Sequence, residues 1–121
     1  MIIGVGVDLI EISRIKKVVE ARGDKLLERL FTERELEVMS RKHETIAGRF
    51  AAKEAVVKAL GVGIGIISWK DIEIIKDKLG KPKIYLTGAA ARRRKTMGII
   101  KMHLSISHSK SQAVAYVVAE G

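Results

Sequence analysis

The chain has no cysteine in its 121 residues. Disulfides and thiolate metal sites are therefore excluded, and the absence fits a cytoplasmic protein. No apolar run reaches about eighteen residues, so no membrane-spanning helix is expected. The opening MIIGVGVDLIE carries no basic leader and turns acidic right after its apolar run, so it does not read as a secretory signal. Aromatic residues make up only 4%, which leaves few platforms for stacking single-stranded bases. There is one proline, no low-complexity tract and no repeat at solenoid period, so no internal boundary is expected. Hydrophobic content of 47% in a chain of this length suits one domain around one core.

Acidic residues are also short in number. Asp plus Glu count 14 against 23 Lys plus Arg, a net charge of +9 with neutral histidines. Such an excess on a small chain predicts attraction to an anion. Nucleic acid, an acidic protein and a phosphate-rich small molecule are the three classes it admits.

Helical signals cluster early and strand signals late. Residues 2–8, IIGVGVD, alternate as a strand, with Ile3, Val5 and Val7 on one face and Gly4, Gly6 and Asp8 on the other. Glycines beside an aspartate leave room for another backbone to approach. A helix is expected from about Glu11 to Gly23, a second from Asp24 to Leu30, and a third from Thr32 to about Lys42. Thr32 with Glu35 three residues on is a capping box. A longer helix follows from about Glu44 to Leu60, then a glycine-rich stretch with Gly61, Gly63 and Gly65. Residues 71–77 and 83–86 flank a turn containing Gly80 and Pro82 and read as a hairpin. A helix from Ala89 to Met97 precedes two strands, 101–108 and 112–119, joined by the turn SKS. The class is α+β, with the early helices packed on an antiparallel sheet.

The segment GRFAAKEAVVKALG, Gly48 to Gly61, carries the most unusual pattern. On a helical wheel Ile46, Ala47, Phe50, Ala51, Val57 and Gly61 share one side. Glu54 lies within that stripe and Lys58 follows one turn later. The opposite side holds Gly48, Ala52, Ala55 and Ala59, all small. A helix that is bulky on one side and small on the other is expected to be packed on both. A carboxylate there is costly to desolvate without a partner. Two partners are open: Lys58, as a structural i,i+4 pair, or a metal ion.

Asp8 also admits two readings. It can cap the following helix in a box with Glu11, or it can ligate a metal. His108, flanked by Ser107 and Ser109, suits either a phosphate contact or a hydrogen-bonded turn, and no serine-hydrolase elbow accompanies it. His43 and His103 show no partner and read as structural or exposed. The cluster Arg92-Arg93-Arg94-Lys95 fans around a helix, either as a solvated face or as an anion contact. The Gly61-Gly63-Gly65 stretch lacks the Walker pattern.

Three segments, GVGVDLIEISRI, GRFAAKEAVVKALG and SISHS, resemble the holo-acyl-carrier-protein synthases, the small 4′-phosphopantetheinyl transferases of bacterial fatty acid synthesis. The likeness extends through LFTERELE, DIEI, the GKP turn and the closing AVAYVVAE. It implies Mg²⁺-dependent transfer of 4′-phosphopantetheine from coenzyme A to a serine of an acidic acyl carrier protein, with adenosine 3′,5′-bisphosphate released. It implies that Asp8 and Glu54 bind the ion and that Lys58 contacts the pyrophosphate. Arg49 and His108 match positions at the 3′-phosphate end of coenzyme A, with Ser109 nearby, and the stretch from Gly61 borders the same cleft. Val62 stands where the family often has threonine. Arg14 matches a carrier-contacting position. Lys25, Leu26 and Arg29 continue that surface, and Ile15 and Leu26 would be its apolar anchors. A homotrimer with active sites between subunits is also implied. Rival readings are a small basic nucleic-acid-binding domain, a related transferase serving polyketide or peptide synthases, and an inactive oligomeric scaffold.

Overall fold

The computed structural model describes all residues from Met1 to Gly121. Strands β1 (Ile2–Glu11), β4 (Lys101–His108) and β5 (Gln112–Glu120) form an antiparallel sheet in the order β1-β5-β4. A second antiparallel pair, β2 (Ile72–Lys76) and β3 (Pro82–Leu86), makes the expected hairpin. The helices are α1 (Ile12–Arg22), α2 (Asp24–Leu30), α3 (Glu33–Val38), α4 (His43–Leu60) and α5 (Gly88–Met97). The class is α+β, as expected.

Helix α4 is central, and its two unlike sides explain why. Its small side lies on the sheet. There β5 contributes the buried Ala113, Ala115, Val117 and Ala119, and β1 contributes its glycines. A Cβ at Gly6 would fall 1.9 Å from the Ala55 carbonyl oxygen, and one at Gly4 2.4 Å from that of Ala59. Helix and strand backbones therefore touch directly, which only glycine permits. The bulky side of α4 buries Ile46 and Ala47 against Ile15, Leu27, Leu30 and Phe31 of the early helices.

Strand β1 runs three residues further than the sequence indicates, because its pairing with β5 continues to Glu11 opposite Gln112. Asp8 consequently sits mid-strand, opposite Ala115, and does not cap α1. The cap position belongs to Glu11, which makes no side-chain capping bond. Helix α3 is shorter than expected. It begins with the expected box, Thr32 Oγ1 accepting from Glu35 N at 3.2 Å and Glu35 Oε1 from Thr32 N at 3.0 Å. It stops at Val38, where the Arg41 guanidinium takes the Leu36 and Met39 carbonyls instead.

The outer face of the sheet is apolar and open. Val5, Val7 and Leu9 of β1 and Tyr116 of β5 are each about half exposed, at 52%, 49%, 60% and 47%. No helix of the structure is long and apolar enough to cross a membrane.

Candidate active site

The sheet edge and α4 meet in a groove of about 460 Å³. β1 sends Asp8 into it and α4 sends Glu54. The opposite wall comes from α1 and α2, with Arg14, Ile15, Leu26 and Arg29. Phe50 and Trp69 close one flank, their ring centroids 5.2 Å apart. The structure thus gathers two expected carboxylates and four of the five expected carrier-binding residues in one groove. Lys25 lies just beyond, in an adjoining hollow that it shares with Arg22, Leu26 and Arg29.

Lys58 does not pair with Glu54. Its Nζ donates to the Val7 carbonyl at 2.8 Å and to Asp8 Oδ1 at 3.3 Å. The structural Glu54–Lys58 pair is therefore set aside. Burial, and then the neighbouring Asp8 carboxylate, push the Glu54 carboxyl above its ordinary value, with Lys58 opposing. Two carboxylates in a half-buried groove, one of them raised by burial and by the other, form a donor set that suits a hard divalent cation. Mg²⁺ takes one or two carboxylates and completes its shell with water and phosphate oxygens.

His108 and Ser109 are not in this groove. They line a separate hollow with Ile12, Glu44 and Lys110. The Ser109 hydroxyl oxygen accepts from the backbone N–H of Ser111 and of Gln112, at 3.3 and 3.1 Å, which leaves its proton to donate outward. Lys110 was not singled out from the sequence; its signal was the lysine within SKS, beside the histidine. Gly61 ends α4 in the left-handed conformation, φ +69°. Arg49 departs from expectation. It is 7% exposed, and its Nη1 donates to the Ile74 carbonyl at 2.8 Å. In this chain one guanidinium nitrogen ties α4 to β2.

The basic cluster on α5 is only partly a solvated face. Arg93 Nε donates to the Leu60 carbonyl at 2.9 Å, capping α4, and Arg94 takes the carbonyls of Ile99 and Ile100. Sequence reasoning also passed over Lys53. It is fully buried, with its Nζ on Glu35 Oε1 at 2.6 Å, on the Ile72 carbonyl at 2.6 Å and on the Trp69 carbonyl at 3.0 Å. Its signal was a lysine standing in a run of alanines.

Residues 4–117 match the family described as the 4′-phosphopantetheinyl transferase superfamily. The chain belongs to that superfamily. It is 50% identical to a holo-(acyl-carrier-protein) synthase of Clostridium tetani, over 100% of this chain and 98% of the relative. Among solved structures it is similar to a holo-(acyl-carrier-protein) synthase of Neisseria meningitidis, with a TM-score of 0.91, 36% identity and full coverage of both chains. It is also similar to the Helicobacter pylori synthase solved in complex with coenzyme A, with a TM-score of 0.87, 38% identity and coverage of 96% and 99%. For a phosphopantetheinyl transferase, the groove brings together two carboxylates, Asp8 and Glu54, and two arginines, Arg14 and Arg29.

Proposed function

We propose that the chain transfers 4′-phosphopantetheine from coenzyme A to a serine of an apo acyl carrier protein, in fatty acid biosynthesis in the cytoplasm. The carrying observation is the single groove. It sets the Asp8–Glu54 pair beside a wall of Arg14, Arg29, Ile15 and Leu26. An acidic carrier meets the arginines, and apolar side chains of the carrier find Ile15 and Leu26. Such a rim speeds encounter and sets register more than it adds affinity.

Asp8 and Glu54 are the residues that would hold Mg²⁺, which when bound neutralises pyrophosphate charge and polarises the phosphorus. The carrier serine oxygen attacks the phosphorus that bears the pantetheine arm. A new P–O bond forms, and the P–O bond to the adenosine 3′,5′-bisphosphate breaks. Glu54, which lines the groove beside Asp8, takes the serine proton directly or through a water. Lys58, about half exposed and held only by Asp8 and a carbonyl, swings to the pyrophosphate and balances charge on the leaving phosphate.

His108, with Ser109 and Lys110, receives the 3′-phosphate end of coenzyme A, and the stretch from Gly61 borders the cleft. Within one chain this hollow is distinct from the Asp8–Glu54 groove. A homotrimer joins the two at the subunit boundary. Its contact surface is the open apolar face of Val5, Val7, Leu9 and Tyr116. The nucleic-acid alternative loses its main support, since Arg93 and Arg94 are engaged with backbone carbonyls. The test is release of adenosine 3′,5′-bisphosphate from coenzyme A. Release that requires both Mg²⁺ and apo carrier is expected, and release independent of the carrier would overturn the proposal.

A further inference from the structure

Strand β2 pairs with β3 on one side only, so its other edge presents unpaired backbone groups. In this chain ionised side chains satisfy that edge. Arg49 donates to the Ile74 carbonyl at 2.8 Å, Lys53 donates to the Ile72 carbonyl at 2.6 Å, and Glu35 Oε2 accepts from Ile74 N at 3.0 Å. Lys53 and Glu35 also bond each other at 2.6 Å, with exposures of 0% and 1%. Lys53 spends its third proton on the Trp69 carbonyl. Every ammonium proton is used, and Glu35 accepts from Lys53, Ile74 and Thr32. The Lys53 ammonium further lies 5.1 Å from the centre of the Phe31 ring.

Apart from the Thr32 N–H, all the backbone groups so held belong to residues 69–74, the segment that brings Trp69 to the groove. Lys53 and Glu54 are neighbours on α4. One turn of this helix therefore carries both the groove's carboxylate and the anchor of its opposite flank. A buried pair of this kind contributes little net stability, because desolvation offsets attraction, but it fixes geometry.

We infer that the buried Lys53–Glu35 pair is a positioning device for the transferase site, setting the distance between Glu54 on α4 and Trp69 on the 69–74 segment. The inference rests on the transferase reading. The pair is buried and lines no part of the groove; it acts through Trp69, whose ring packs on Phe50 and closes one flank of it. Phosphoryl transfer depends on alignment, and a displacement of about 1 Å lowers turnover on the order of a hundredfold.

Trp69 is the only tryptophan, so its fluorescence reports this flank without reference to activity. The test replaces the pair by neutral side chains of similar size, Lys53→Met with Glu35→Gln, and compares the folded variant with the parent. Emission is expected to move to longer wavelength as Trp69 leaves Phe50. The kcat is expected to fall by at least about tenfold while KM for coenzyme A changes less than about threefold. Parental emission with parental kcat overturns the inference. So does a kcat loss without an emission change, or an emission change without a kcat loss. Should the double variant not fold, Trp69→Leu removes the flank and leaves the pair in place. The same kcat-dominated loss supports the inference, and parental kcat overturns it. If the parent itself shows no turnover, the transferase reading fails, and an unshifted emission would separately remove the clamp.

Discussion

Lys58 Nζ stands 3.3 Å from Asp8 Oδ1, while Glu54, one turn earlier on the same helix, has no ion-pair partner. The cation has gone to the strand and left the helical carboxylate exposed to its acidic neighbour. The groove is thereby electrostatically incomplete in the isolated chain, and the incompleteness has measurable consequences.

Glu54→Gln is expected to raise the melting temperature at pH 7 in EDTA. The Glu54 pKa in the folded chain is raised above the ordinary 4.5, chiefly by burial and then by Asp8. A folded carboxyl that keeps its proton longer than the unfolded one makes stability fall as pH rises through that window. Below pH about 4.5 both states are protonated, so the advantage of the variant disappears there. Thermal melts of parent and variant across pH 3.5–7.5 check this. A variant less stable than the parent at pH 7 would contradict it.

Gly6→Ala is expected to destabilise the fold by about 3 kcal/mol. The added Cβ would sit 1.9 Å from the Ala55 carbonyl oxygen, a backbone atom that cannot turn aside. Gly63→Ala is the control, since nothing lies within 4 Å of a Cβ there. Chemical denaturation of both variants measures the difference.

The close approach of Gly4 and Gly6 to α4 was partly legible in the sequence. Glycines on one face of a strand announced a close backbone approach, and small residues on one side of the helix announced packing there; that each is the other's partner is seen only in the structure. Asp8 was harder. A carboxylate near a strand end followed by a helical pattern suits a cap as well as a ligand. Only the pairing of β1 as far as Glu11 separates the two readings. The partner of Lys58 was not legible, because i,i+4 spacing favours Glu54 and says nothing about a strand passing alongside. Arg49 and Lys53 were missed as buried cations because their acceptors are carbonyls of Ile74 and Ile72, 25 and 19 residues away. No side-chain pattern encodes an unpaired strand edge.

Arg29→Glu is expected to raise KM for the carrier about tenfold, with kcat for saturating carrier nearly unchanged. Arg29 lines the groove wall and the adjoining hollow with Lys25 and Arg22. Steering by exposed charges is screened by salt, so parent and variant should converge as ionic strength rises. Initial rates against carrier concentration at low and high salt test this.

Tyr116→Lys places a charge on the open sheet face, opposite Val7 of β1 and Ser105 of β4. The expected result is a fall in assembly size by light scattering, from trimer to monomer, together with loss of transfer. A full-sized assembly with parental activity would show that this face is not the subunit contact.

The most direct test of the central claim is the intact mass of an apo acyl carrier protein after incubation with the chain, coenzyme A and Mg²⁺. The phosphopantetheine arm adds about 340 Da in such a transfer. That gain is expected with the parent, and it is expected to vanish in EDTA and to fall at least about a hundredfold in rate with Glu54→Gln. An unchanged carrier mass with the parent, across several acidic carriers, would contradict the account.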